Sequence, residues 1–367
     1  MNKLTRLYDE HGQSPWVDFV EREFIETGRL EQLIGRGIRG LTSNPTIFAK
    51  AVAGGEYDEL ISRRLEEGAS NEQIYEEIAL GDVGDAADLL RGVYDSADGH
   101  DGFASIEVEP PLAHDTQATI DRVRYLWRSL DRPNPMIKIP ATEEGLEAIA
   151  TAISEGMNVN VTLVFSIEMY KRVARAYIAG LRRRLGRGED VSRIASVASF
   201  FVSRVDTNVD KRLDALDDQR ARELRGKAAI ANAKLAYEAF GQIFGGQEFA
   251  ELRQAGAHVQ RCLWASTSTK DPAYRDVLYV EQLIGSDTVD TMPLETIEAF
   301  VDHGQLAATL EQGVDEARRT FSQLAELGIE MDEVTDELLR EGVEKFGASF
   351  EELISTIDSK SAVLSSR

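Results

Sequence analysis

A lysine near the middle of the chain lies in an apolar setting that is unusual for this residue type. Lys138 belongs to the segment PMIKIP, where the two-residue period of a strand puts it on one face and Ile137 and Ile139 on the other. If the isoleucines pack outward against helices, the lysine points into the protein, where its charge is costly unless it is paired or its pKa is lowered. Desolvation favours the neutral amine, the form that attacks a carbonyl to make a Schiff base. The alternative is a strand-end lysine that reaches out to water.

Polar side chains also occur in other β-rich segments where an all-apolar core strand would have none. They are Asp18 in WVDF, Glu107 in SIEVE, Asn160 and Thr162 in NVNVTLVF, and Ser199 in ASFFVSR. Any one of them alone could be a hydrogen-bonded structural group. Together they indicate one converging site, because an α/β barrel draws its active-site residues from the ends of several strands.

The elements that would position these residues alternate in type along the chain. Short β-rich segments are followed by longer amphipathic helical stretches, which is typical of a parallel α/β fold. Eight segments are candidate strands, the number that closes a (β/α)8 TIM-type barrel. Their residue ranges are 16–20, 37–42, 103–108, 136–140, 158–165, 195–202, 258–265 and 288–292.

Helical patterns fill the spaces between the candidate strands. Residues 144–155 follow Thr142, and residues 166–185 begin at Ser166. Threonine and serine are both suited to cap a helix N-terminus, so the sequence predicts a helix starting at each position.

Two further helical regions are expected outside the regular alternation. Residues 53–101 predict an insertion of two or more helices after the second strand. We expect residues 1–367 to form a single domain, with a barrel core at about 15–300 and a helical extension at about 301–367. The extension should pack on the barrel exterior, with a path across the barrel mouth as a second possibility.

The composition narrows the classes of partner. The net charge is −23, with 41 Lys and Arg against 64 Asp and Glu, which argues against nucleic acid and anionic membrane surfaces. The acidity is typical of a soluble protein, and it is compatible with a small anionic substrate if a few cations converge in one pocket. The longest apolar runs are too short to cross a bilayer, so we expect no membrane partner.

The cysteine, histidine and glycine patterns predict neither a metal nor a cofactor. No spacing of His, Cys and carboxylates is typical of a metal site, and no Walker-type or dinucleotide-binding motif is present. Cys262 is the single cysteine, so no intrachain disulfide can form, and in an apolar strand it is expected to be inert packing. The N-terminal segment has no apolar core typical of a secretory signal, and we expect a cytoplasmic protein.

Seven segments of the chain resemble the transaldolase family. In order they read WVDF, GLTSNPTIF, SIEVEP, IKIPAT, NVNVTLVFS, SFFVSRVD and WASTSTK, and they extend over most of the sequence. A TSNP motif alone would be weak evidence for the resemblance, whereas seven matching segments in the same order are specific evidence. The length and the seventh segment resemble the long bacterial branch. The resemblance implies a barrel enzyme that moves a dihydroxyacetone unit between sugar phosphates, and we expect a monomer or a homodimer.

The resemblance also implies a chemical role for the matching polar residues. Lys138 matches the Schiff-base lysine, and Asp18 matches the carboxylate that works on the substrate hydroxyl when the carbon–carbon bond breaks. Glu107 and Thr162 match the pair that positions a catalytic water and moves protons while the carbinolamine forms and dehydrates. The chemistry is consistent with the residue types, because cleavage next to a carbonyl needs an electron sink and a base.

Other matching residues imply substrate contacts. Asn44, Asn160 and Ser199 match residues that hold the dihydroxyacetone hydroxyls. Arg204 matches an arginine that grips the substrate phosphate, for which its two-pronged guanidinium is well suited. A surface salt bridge between Arg204 and Asp206 is the alternative.

The segment after the seventh strand departs from the family's pattern. Shorter members have a second arginine there, and we expect Ser266 and Lys270 to take its place, with an ammonium in place of a guanidinium. The long bacterial branch would have a glycine at Ser268 and a proline at Cys262. Ser268 adds a hydroxyl and restricts the backbone, which concerns phosphate binding and not the Schiff-base chemistry.

Two other functions stay open. A class I aldolase of the fructose 6-phosphate type would use the same lysine but release free dihydroxyacetone. Such aldolases carry a tyrosine, able to activate water, where this chain has Phe201, so Phe201 favours transfer. A barrel that had lost catalysis and served as a scaffold would be expected to lack Lys138, Asp18 or Glu107, and all three are present.

Overall fold

The structure is a computed structural model that describes residues 2–365, and its centre is a closed barrel of parallel strands. Each strand pairs with its neighbours in chain order, and the last pairs with the first. The predicted (β/α)8 barrel is therefore confirmed. The strands are β1 (Gln13–Val17), β2 (Gly40–Thr42), β3 (Phe103–Glu107), β4 (Pro135–Pro140), β5 (Val159–Val164), β6 (Ser196–Phe201), β7 (Arg261–Ala265) and β8 (Thr288–Met292).

The first strand begins and ends earlier than the sequence predicts. Gln13 and Ser14 are polar but fully buried, and the Gln13 amide donates to the Leu283 carbonyl at 2.6 Å. Asp18 consequently follows the strand instead of lying inside it, and its N–H donates to the carbonyl of Met292 at 2.9 Å. This position puts the Asp18 side chain at the carboxyl end of the barrel, where β1 and β8 meet.

Along the chain, helices come before β1, between consecutive strands and after β8. They are α1 (Lys3–His11), α2 (Arg22–Glu26), α3 (Arg29–Gly35), α4 (Pro45–Gly54), α5 (Asp58–Glu66), α6 (Asn71–Ser96), α7 (Thr116–Leu130), α8 (Glu143–Ser154), α9 (Ile167–Gly186), α10 (Ser203–Asp214), α11 (Gln219–Leu224), α12 (Ala228–Gly245), α13 (Ala250–Gln254), α14 (Leu278–Gln282), α15 (Leu294–His303), α16 (Val314–Glu326) and α17 (Met331–Ser365). Helices α4 to α6 form the predicted insertion between β2 and β3.

Both predicted helix caps are confirmed. The Thr142 hydroxyl accepts from the Gly145 N–H at 3.0 Å where α8 begins. The Ser166 hydroxyl accepts from the Met169 N–H at 3.0 Å where α9 begins. Each cap satisfies a backbone donor that the first helical turn leaves without a partner, which fixes where the helix starts after its strand.

The two last helices take different places on the barrel. Helix α16 packs on the exterior, where Arg318 pairs with Glu238 of α12. Helix α17 crosses the mouth at the carboxyl ends of the strands, because its Glu337 pairs with Arg212 of α10 while its Ser349 accepts from Thr46 of α4 at 3.1 Å. Within residues 2–365, no helix is long and apolar enough to span a membrane.

Candidate active site

A cavity of about 570 Å³ opens at the carboxyl ends of the strands. Most of the predicted site residues form its wall, although they come from distant parts of the sequence. Those that line it are Asp18, Asn44, Lys138, Thr162, Ser199, Phe201, Arg204, Ser266 and Lys270. Glu107 lies in an adjoining pocket that shares Thr162 with the main cavity. The structure therefore brings these residues together at the end of the barrel where such folds carry active sites.

The Lys138 side chain points into the barrel, as the alternation of PMIKIP predicts. Its Nζ donates to the Ser43 carbonyl at 2.9 Å and lies 3.1 Å from Oε1 of Glu107. The two side chains are only 7% and 6% exposed, so the alternative of a lysine that reaches out to water is wrong. The ammonium is instead held inside by a carboxylate and a carbonyl.

Glu107 and Thr162 present buried polar atoms with spare hydrogen-bonding capacity. Apart from the ion pair of Glu107 Oε1 with Lys138, the Glu107 carboxylate oxygens and the Thr162 hydroxyl have no hydrogen-bond partner within the described part of the chain. Burial raises the pKa of Glu107 above its ordinary value, and the nearby charge of Lys138 opposes this. A buried carboxyl of this kind can take up a proton, and a substrate or water oxygen would supply the missing partner.

Asp18 lies beside the lysine, in a hydrogen-bonded group of its own. Its carboxylate accepts from the Thr42 hydroxyl at 2.8 Å, and that hydroxyl lies 2.7 Å from the Thr291 hydroxyl. Burial raises the pKa of Asp18, and the charge of Lys138 is the largest opposing effect. Thr42 holds the carboxylate, Thr291 in turn bonds Thr42, and sequence reasoning missed both threonines.

Three residues predicted to hold substrate hydroxyls differ in how they face the cavity. Asn44 caps α4 by accepting from the Ile47 N–H at 3.2 Å, which leaves its NH₂ group as a donor at the cavity wall. Asn160 does not line the cavity, since it donates to the Ser105 hydroxyl at 3.2 Å and accepts from the Ser199 hydroxyl at 2.6 Å. Ser199 lines the cavity and connects it to Asn160 through this hydrogen bond. Asn160 as a direct substrate contact stays a prediction.

Arg204 lies against two aromatic rings and has no acidic ion-pair partner among residues 2–365. Its Cζ is 4.9 Å from the centre of the Phe201 ring and 5.7 Å from that of Phe346. The alternative of a salt bridge with Asp206 is wrong, because Asp206 is buried and accepts from the Tyr279 hydroxyl at 2.8 Å. Nη1 of Arg204 is buried without a hydrogen-bond partner among residues 2–365. A guanidinium in this state is a ready binding group for an anion.

The loop after β7 contributes two hydroxyls and an ammonium to the cavity. Ser266 has φ 59°, and its hydroxyl lies 2.8 Å from that of Ser203. Lys270 is exposed and donates to the Ser268 hydroxyl at 2.7 Å. The left-handed residue of the loop is therefore Ser266, and Ser268 does not need the conformational freedom of a glycine. Cys262 is fully buried, and burial raises its pKa to about 12, as expected for an inert thiol.

Sequence reasoning also missed residues that helices bring to the cavity wall. They include Glu21, Lys50, Glu295 and Phe346. A signal existed for Lys50, which follows Asn44 and Ile47 at three-residue spacing and so shares their face of α4. No comparable signal marked Phe346, because its place depends on how α17 docks across the mouth.

Comparison with known proteins agrees with the geometry. The family described as Transaldolase/Fructose-6-phosphate aldolase matches residues 15–357. Transaldolase 1 of Streptomyces coelicolor is 48% identical over 357 residues, which is 96% of this chain and 93% of that protein. Transaldolase 2 of a Nostoc species is 46% identical over 369 residues, 97% of each chain. The transaldolase of Thermobifida fusca is 48% identical over 357 residues, 96% of this chain and 97% of its own. The chain thus belongs to the transaldolase/fructose-6-phosphate aldolase family.

Proposed function

We propose that this enzyme is a transaldolase, a transferase of the non-oxidative pentose phosphate pathway. It would take a dihydroxyacetone unit from fructose 6-phosphate or sedoheptulose 7-phosphate and pass it to erythrose 4-phosphate or glyceraldehyde 3-phosphate. The observation that carries the proposal is the buried Lys138 amine, 3.1 Å from Glu107, in a cavity that also presents an unpaired arginine. The relatives named transaldolase support the same activity.

The first step is formation of an imine on Lys138. Glu107 takes a proton from the ammonium, and the neutral amine adds to C2 of the ketose to give a carbinolamine. Loss of the C2 hydroxyl as water then gives the protonated imine. The raised pKa of Glu107 suits both proton transfers, and the Thr162 hydroxyl can hold the departing water.

The second step breaks the carbon–carbon bond. Asp18 takes the proton of the C4 hydroxyl, the C3–C4 bond breaks, and its electron pair moves towards the imine nitrogen to form an enamine. The aldose phosphate leaves as an aldehyde. An acceptor aldehyde then enters, the enamine carbon attacks it, and Asp18 returns the proton to the new C4 oxygen. Water finally hydrolyses the imine and frees Lys138.

The remaining residues hold the substrate. The guanidinium of Arg204 would bind the phosphate, with the Lys270 ammonium and the Ser266 hydroxyl at the same end. The Asn44 amide and the Ser199 hydroxyl would hold the dihydroxyacetone hydroxyls. The ordered array keeps the imine and the acceptor aldehyde aligned for reaction.

The two alternatives are less well supported. A fructose 6-phosphate aldolase must hydrolyse its imine quickly, and Phe201 has no hydroxyl with which to activate water. A scaffold without catalysis would not need a buried amine and a buried carboxylate that have few partners besides each other, because burying both charges is costly.

A coupled assay for glyceraldehyde 3-phosphate tests the proposal directly. The enzyme is given fructose 6-phosphate with and without erythrose 4-phosphate. We expect sustained product only when the acceptor is present. Sustained product without acceptor would make the enzyme an aldolase, and no product under either condition would rule out transfer from this donor.

The enzyme would act in the cytoplasm as one domain, either as a monomer or as a homodimer. The absence of any possible intrachain disulfide suits a reducing compartment, since Cys262 is the single cysteine. The contacts of α17 with α4 and α10 support a single domain, because they tie the helical extension to both sides of the barrel mouth.

A further inference from the structure

Helix α17 puts an aromatic ring directly over the reacting groups. The centre of the Phe346 ring lies 6.0 Å from Nζ of Lys138 and 5.7 Å from Cζ of Arg204. The ring lines both the main cavity and the adjoining pocket that contains Glu107. Phe346 is thus a wall shared by the amine, its carboxylate and the arginine, although it comes from the far end of the chain.

The position of this ring is fixed from both sides. One turn before it, Gly342 packs so closely on β5 that an added Cβ would lie 2.9 Å from a methyl group of Leu163. One turn after it, the Phe350 ring makes an edge contact with Tyr75 of α6, with centroids 5.4 Å apart. The helix is therefore anchored on each side of the mouth, and the Phe346 ring is held at a fixed height above the lysine.

The ring can act in two ways without any polar atom. As an apolar wall it keeps water from the atoms bonded to Lys138. Because it also lies against the guanidinium of Arg204, as Phe201 does, it limits the orientations that this cation can take. Both effects bear on the fate of the three-carbon enamine that stays on Lys138 once the aldose has left.

We propose that Phe346 is a specificity-determining residue that keeps the enamine on Lys138 until an acceptor aldehyde arrives, by slowing hydrolysis of the imine with which the enamine exchanges a proton. The proposal rests on the proposed transaldolase function. In hydrolysis, C3 of the enamine first takes up the proton that Asp18 holds, which gives the protonated imine. The oxygen of water then bonds to C2, the C2–N bond breaks, and the lysine leaves as an ammonium that carries both protons of that water, which releases dihydroxyacetone. The Phe346 ring hinders the approach of this water from the side of α17.

The test compares Phe346→Ala with Phe350→Ala, a matched loss of a ring from the same helix. Phe350 packs on Tyr75 and does not line the cavity, so it controls for loosening of α17. The measured quantity is the ratio of free dihydroxyacetone, released from fructose 6-phosphate without acceptor, to transfer with erythrose 4-phosphate. We expect Phe346→Ala to raise this ratio about tenfold, because water gains access to the imine.

A conservative variant, a check of folding and a trapping experiment complete the test. Phe346→Leu keeps an apolar cover and should bring the ratio back towards that of the wild type, while circular dichroism shows that each variant is folded. An unchanged ratio in a folded Phe346→Ala, or an equal rise in Phe350→Ala, would overturn the proposal. Borohydride trapping of the wild-type imine distinguishes a failure of the Phe346 proposal from a failure of the proposed function. A wild type that is trapped and transfers leaves the proposed function intact. A wild type that forms no imine overturns both the proposed function and the Phe346 proposal.

Discussion

At the residue scale, the site contains ionisable groups that are buried, so their charged forms cost desolvation free energy. Lys138 and Glu107 are both buried and each partly compensates the other, so removal of one would leave a buried charge without a partner. Asp18 is different, because its own hydrogen-bond donor is the neutral Thr42 hydroxyl. A single substitution of Asp18 can therefore separate an effect on catalysis from an effect on the stability of the fold.

Asp18→Asn should slow cleavage strongly while it stabilises the fold. We expect kcat to fall by about 10²- to 10⁴-fold, because the base for the C4 hydroxyl is lost, while borohydride still traps the imine on Lys138. Trapping and turnover are measured on the same preparation. A variant that loses both would show that Asp18 acts before cleavage.

The stability effect follows from the raised pKa of Asp18. Burial raises this pKa in the folded state, so the stability that belongs to the protonated form is present below the ordinary pKa of aspartate and is lost as pH rises through the raised value. At neutral pH the charged carboxylate therefore destabilises the fold, and asparagine removes that cost. Melting temperatures across pH should show the variant more stable at neutral pH and equal to the wild type in acid. A lower melting temperature at neutral pH would contradict this.

The residues of the site differ in how far the sequence alone predicts their placement. The two-residue period of a strand puts Lys138 opposite Ile137 and Ile139, but PMIKIP alone left open whether the lysine points inward or reaches out to water, and the barrel decides for the interior. The engagement of Asn160 by Ser105 and Ser199 was not predictable, because it depends on which strands become neighbours and in what register. The unpaired state of Arg204 likewise depends on tertiary packing.

At the element scale, the position of each secondary structure followed from local signals where those signals were strong. The capping residues Thr142 and Ser166 marked two helix starts correctly. The start of β1 was missed because Gln13 and Ser14 are polar, and only the closed barrel shows that their partners make them interior residues. The path of α17 was left open between the exterior and the mouth, because an amphipathic pattern does not say what the apolar face will meet.

Two glycines on α17 give a matched test of its docking. Gly342→Val should destabilise the protein by about 1–3 kcal/mol through overpacking, since an added Cβ would lie 2.9 Å from a Leu163 methyl group. Gly347→Ala should stabilise it by about 0.5–1 kcal/mol, because a Cβ there meets no described atom within 4 Å and alanine favours the helix. Urea unfolding measures both. Equal effects of the two substitutions would show that α17 is not tightly docked on β5.

At the scale of the whole molecule, the two ends of the barrel have different tasks. The mouth carries the ionisable groups of the proposed reaction, whereas the base is held together by Asp101. This buried carboxylate accepts from Trp16 Nε1 at 3.0 Å and from Arg39 Nε at 2.8 Å, and it also bonds Ser14 and lies 3.4 Å from Arg261. It thus ties together residues of β1 and β7 with the segments that lead into β2 and β3.

Asp101→Ala should destabilise the fold without lowering the catalytic activity. We expect a loss of about 3–5 kcal/mol, because two arginines lose a buried partner, and an unchanged kcat/KM at a temperature where the variant is folded. Glu298→Ala is the control, since the Arg36–Glu298 pair is exposed and should contribute at most about 1 kcal/mol. Equal losses in the two variants, or a large fall in kcat/KM for Asp101→Ala, would contradict this division of tasks.

The central claim is that dihydroxyacetone is carried on Lys138. Its most direct test is borohydride reduction of the enzyme in the presence of fructose 6-phosphate, followed by mass spectrometry of its peptides. We predict a reduced three-carbon adduct on Lys138, with none in a folded Lys138→Arg variant that has also lost transfer. An adduct on a different lysine, or transfer activity that survives in Lys138→Arg, would contradict the assignment.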